Sequence, residues 1–105
     1  MNRNLKEVLA AVGSDYTIKV IDFEDCVYRD LGEFDIEVSG CNYKNRTFSV
    51  YVWSKYPQQI VYRKHDIKTT PGLCKELNYV LELHQARLED QRWPEEEVRL
   101  CEKVR

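Results

Sequence analysis

The chain has 105 residues, 43% of them hydrophobic and 32% charged, with a net formal charge of −2. That length and balance describe one globular domain, residues 1–105, that buries roughly two-thirds of its unfolded surface in a single core, and they exclude a disordered or fibrous chain. No apolar stretch approaches the ~20 residues of a membrane span and the first residues hold no apolar signal segment, so the expected location is the cytoplasm, away from any membrane.

Leu5, Val8, Leu9 and Val12 recur at helical spacing and predict a short helix over 4–12, closed by Gly13. From Asp15 the period changes to two. Tyr16, Ile18 and Val20 alternate with Thr17, Lys19 and Ile21, and Phe23 continues the second set; the strand is expected to run on through a bulge to Val27 and Tyr28. After a turn at Asp30-Leu31-Gly32-Glu33, Phe34, Ile36 and Val38 alternate with Asp35, Glu37 and Ser39, the pattern of a strand buried on one side. Residues 46–54 make the next strand, with Phe48, Val50 and Val52 on one face and Tyr51 and Trp53 on the other. Tyr56-Pro57 turns the chain into a further candidate strand from Gln59 to Lys64.

Thr69-Thr70-Pro71 opens a long helix, with a hydroxyl at the N-cap and proline at the first helical position. Its stripe is Leu73, Leu77, Val80, Leu81, His84 and Leu88, and it is expected to reach Gln91. Trp93-Pro94 and the acidic run after it start a short final helix, with Val98, Leu100, Cys101 and Val104 as its apolar positions. The expected fold is therefore α+β: a short N-terminal helix, an antiparallel sheet of three to four strands, a long C-terminal helix and a short last one.

Chemistry is hard to place on this frame. The four cysteines, at 26, 41, 74 and 101, form no close pair of the kind that ligates zinc, and no glycine-rich phosphate loop is present. Of the two histidines, His84 lies on an apolar stripe and His65 in a polar segment, where only Cys74 is considered as a nucleophile for it. The expectation is a protein that is not an enzyme and needs no cofactor or metal.

Charge is segregated along the chain. Residues 1–40 carry four basic and nine acidic groups, a local −5; residues 41–70 carry six and one, a local +5. Opposite charges paired across a sheet would explain this, and so would two binding surfaces. The first candidate surface is acidic, built on Asp22, Glu24, Asp25, Asp35 and Glu37 and suited to a basic protein groove. The second is aromatic and basic, built on Tyr51, Trp53, Arg63 and Lys64, and suited to stacking on single-stranded nucleic acid, to anchoring a protein interface, or to a homodimer contact.

Two family resemblances follow from these features. Helix, three strands and helix is the element order of double-stranded-RNA-binding domains, but the entry to the long helix, Asp66 to Gly72, lacks their lysine cluster. Met1-Asn2, the amphipathic stretch Leu5 to Val12, and Asp15-Tyr16-Thr17-Ile18-Lys19 resemble the opening of small phage-encoded anti-CRISPR inhibitors of RNA-guided nucleases. That resemblance implies a protein-binding inhibitor or regulator, carried by a phage or mobile element, that acts on a nucleic-acid-handling complex such as a CRISPR nuclease. A single-stranded nucleic-acid-binding module using the aromatic-basic sheet face is the alternative.

Overall fold

The computed structural model describes residues 5–42 and 47–90. Helix α1 (Leu5–Val12) leads into five strands, β1 (Thr17–Ile21), β2 (Glu24–Asp30), β3 (Phe34–Ser39), β4 (Phe48–Lys55) and β5 (Gln58–Ile67), and these are followed by α2 (Thr70–Asp90). The strands form one antiparallel meander in the order β1-β2-β3-β4-β5. Fold class and chain order match the sequence reading. The strand count does not, since five replace three to four. The short last helix expected after Pro94 lies outside the described residues.

The extra strand comes from a turn where a continuous strand was expected. β1 ends at Ile21, which pairs with Glu24, so Asp22 and Phe23 alone form the loop. Both have positive φ, +51° and +66°, as a two-residue turn matched to the strand twist requires. Neither is the glycine or asparagine that normally marks such a turn.

Alternation sorts the strands into two faces. Val27, Ile36, Val38, Phe48, Val50, Val52 and Tyr62 point to one side and are buried there under both helices. Val8 of α1 and Leu73, Leu77 and Val80 of α2 complete this core, with Leu5, Leu9 and Val12 packed at its rim. The Tyr62 hydroxyl and the Glu76 carboxylate form a short hydrogen bond that ties β5 to α2. Gly13 closes α1 at φ +107°, its N–H donating to the Leu9 carbonyl at 3.1 Å. Thr69 supplies the capping hydroxyl of α2, its Oγ1 accepting from the Gly72 N–H at 3.0 Å, so Pro71 is the second helical residue and not the first. His84 lies edge-on to Phe34 with ring centroids 6.0 Å apart, a packed position on the stripe.

Gly40 fixes how the chain leaves β3. Its φ is +85°, and a Cβ there would collide with the Thr47 backbone. Its N–H donates to Glu24 Oε2 at 2.6 Å, so the crossing segment is tied to the start of β2.

Candidate functional site

The second face of the sheet carries no helix among the described residues. The register builds it as rows. Tyr28 stands opposite Glu37, Glu37 opposite Tyr51, and Tyr51 opposite Arg63; in the neighbouring row Asp30 stands opposite Asp35 and Asp35 opposite Trp53. Acidic and aromatic residues that are far apart in sequence thus alternate across adjacent strands. The two expected surfaces share one face.

That face holds a shallow concavity of about 580 Å³ whose lining includes Lys19, Asp22, Tyr28, Asp35, Glu37 and Trp53. The Trp53 indole Nε1–H donates to Glu37 Oε1 at 2.9 Å, which fixes the ring plane against β3. Burial pushes the Glu37 carboxyl above the ordinary range; the Trp53 bond pulls the other way, and the charges of Asp22 and Glu24 reinforce the rise. Tyr28 is pushed up to about 12 by burial and by its hydrogen bond to Asp35. Lys19 lies over the Tyr28 ring, its Nζ 4.4 Å from the centroid, so the face already holds one cation on an aromatic surface.

Asp30 and Asp35 would repel as direct cross-strand neighbours. Lys55 relieves this from β4, with Nζ 2.9 Å from Asp30 Oδ1 and 3.4 Å from Asp35 Oδ1. The hydrogen bond from Lys55 and the backbone N–H of Gly32 hold Asp30 below the ordinary carboxylate range. Asp35 Oδ1 is buried without a well-directed hydrogen bond, so the Lys55 charge is its compensation. Part of the charge segregation along the sequence is therefore cross-strand pairing.

Strand parity separates two expected members from the rest. Asp25 pairs with Val20 and lies on the helix side, where its Oδ2 accepts from Asn42 Nδ2 at 3.3 Å. Lys64 pairs with Val50 and likewise leaves the face that holds Arg63. Adjacent residues of a strand point to opposite sides, so neither Glu24 with Asp25 nor Arg63 with Lys64 forms one surface. Asp22, Glu24, Asp35, Glu37, Tyr51, Trp53 and Arg63 remain together. Lys55 belongs with them, and Tyr28 and Lys19, which sequence reasoning did not assign to this face, join them.

Two further contacts bear on chemistry. Ser49 Oγ lies 3.1 Å from His65 Nδ1 on the exposed end of the face, with the His65 ring edge-on to Tyr51 at 5.6 Å. Among the described residues no carboxylate orients the second ring nitrogen, so the pair lacks the third member of a nucleophile-base set. Cys74 packs on the helix side and donates to the Ala11 carbonyl at 3.4 Å, away from His65. Cys26 is buried and desolvation pushes its thiol up to about 12, a protonated and unreactive state. Among the described residues no group of three or more His, Cys, Asp or Glu is placed to hold a metal ion, and no helix is long and apolar enough to cross a membrane.

The chain matches no family model, no curated protein and no solved structure.

Proposed function

We propose that this protein is a non-enzymatic binding module that regulates or inhibits a larger partner, and that the sheet face that carries no helix among the described residues is its contact surface. The observation that carries this reading is the Trp53–Glu37 pair: an aromatic ring held by a desolvated carboxylate in an open concavity. Aromatic anchors fixed in place are what interface hot spots use, because little conformational freedom remains to be lost on binding. The carboxylates around the ring favour a partner surface that presents lysine or arginine.

This chemistry suits a partner whose basic groove handles nucleic acid, and it supports the inhibitor role that the anti-CRISPR resemblance implies. A phage or mobile-element origin and a CRISPR nuclease as target belong to the same proposal. The test is to mix the protein with candidate CRISPR nuclease complexes, follow co-elution by size-exclusion chromatography and assay cleavage. Co-elution and inhibition, both lost in Glu37→Lys and Trp53→Ala, are expected. Cleavage unaffected by the wild-type protein contradicts the anti-CRISPR version.

The alternative, single-stranded nucleic acid on the same face, rests on the Tyr51–Arg63 pairing. It is disfavoured because Asp35 and Glu37 flank the same aromatic residues and repel phosphates.

A further inference from the structure

The tip of the β1–β2 hairpin is built against the needs of the turn it makes. Phe23 is 102% exposed, the most exposed large apolar side chain among the described residues. Its backbone is left-handed at φ +66°, next to Asp22 at φ +51°, a region that bulky side chains rarely adopt. An Asn-Gly pair would make this turn with less strain and no exposed ring. Among the described residues nothing packs on the aromatic group, and the turn gains no geometry from it. Such strain, kept where no described residue compensates for it, points outward to function.

The surroundings of the ring specify what it meets. Asp22, Glu24 and Asp25 flank it, and no basic residue lies between Val20 and Tyr28. Glu24 is held in place by the Gly40 N–H at 2.6 Å, while Asp25 lies on the helix side, bonded to Asn42 Nδ2 at 3.3 Å. Val20, 65% exposed, extends the apolar surface from the tip along β1, the outer strand of the sheet among the described residues. Asp22 also lines the concavity of the open face, so tip and face are continuous. An apolar wedge flanked by Asp22 and Glu24 is repelled by anionic lipid headgroups and by the same tip on a second copy. It complements an apolar pocket whose rim is basic.

We propose that the hairpin tip is an insertion anchor: Phe23 enters an apolar pocket on a partner protein, and lysine or arginine side chains on the rim of that pocket pair with Asp22 and Glu24, the carboxylates on the open-face side of the hairpin. This contact stands apart from the Trp53–Glu37 pair and holds whether or not the sheet face itself is buried by the partner.

The test places photoreactive p-benzoylphenylalanine at position 23 of the full chain in cells that carry its gene, followed by irradiation and mapping of the adducts by mass spectrometry. Adducts are expected to converge on apolar residues of one protein with lysine or arginine around them. Their yield should fall several-fold at high salt and several-fold again with Asp22→Asn, which keeps the turn geometry. Unlabelled wild-type protein should compete the adduct away, and Phe23→Gly, with an equal or higher melting temperature, should not. Scattered adducts, adducts to lipid or to a second copy, the absence of any adduct, or Phe23→Gly competing as well as wild type would each overturn the proposal.

Discussion

Across the β3–β4 ladder, the indole of Trp53 donates to Glu37 Oε1 at 2.9 Å, joining a residue from the acidic part of the chain to one from the basic part. The bond makes the ring a fixed feature of the open face. It also takes the carboxylate partly out of water.

That desolvation has a pH signature. Glu37 has a folded-state pKa above its unfolded value, because burial disfavours the charged form. A raised carboxyl pKa means its contribution to stability is fully present at low pH and is lost as pH rises through the folded pKa. Glu37→Gln keeps an acceptor for Trp53 and removes the charge. Thermal denaturation should show it melting above wild type at neutral pH, with the difference closing as the pH falls and Glu37 becomes protonated. A difference that widens on acidification would contradict the assignment.

Phe23 at φ +66° predicts a gain from a substitution that removes apolar surface. Phe23→Gly or Phe23→Asn should stabilise the fold by roughly 0.5–1 kcal/mol, since both residues accept the left-handed region and no packing is lost. In a domain this small, that corresponds to a rise of a few degrees in melting temperature. Loss of stability in both variants would show that the ring serves the fold.

The same contrast separates core from surface along the apolar residues. Leu73→Ala removes a fully buried side chain where α2 meets the sheet and should cost about 2–5 kcal/mol in denaturant unfolding. Val20→Thr, on the exposed edge strand, should stay within about ±0.5 kcal/mol. Alternation alone puts Val20 on the same face as the core, but the strand lies at the margin of the sheet, beyond the helices' cover.

Much of this architecture was legible wherever one period dominated. Phe34, Ile36 and Val38 mark β3 because each alternate residue faces the helices, and the Leu73, Leu77 and Val80 stripe marks α2 for the same reason at helical spacing. The β1–β2 turn was hidden because Ile21, Phe23 and Val27 continue an apolar run through it, and Phe23 stands where the glycine that would complete an Asp-Gly turn signal belongs. The site was split in two because charge was counted along the chain. Antiparallel pairing of β3 with β4 brings Glu37 against Tyr51 and Asp35 against Trp53, a relation set by register, not by local composition. The separation of Asp25 from Glu24 and of Lys64 from Arg63 was readable from strand parity, once β2 and β5 were recognised as regular strands.

The most direct test of the open face as a docking surface for basic protein groups is an NMR titration that follows the Trp53 indole Nε1–H resonance, assigned with a Trp53→Phe variant. A short arginine-rich peptide should shift that resonance and the amides of Tyr28 and Glu37 in a salt-sensitive way, while a single-stranded oligothymidine leaves them in place. Shifts of Trp53, Tyr51 and Arg63 with the oligonucleotide, and none with the peptide, would contradict the account and favour nucleic acid as the ligand.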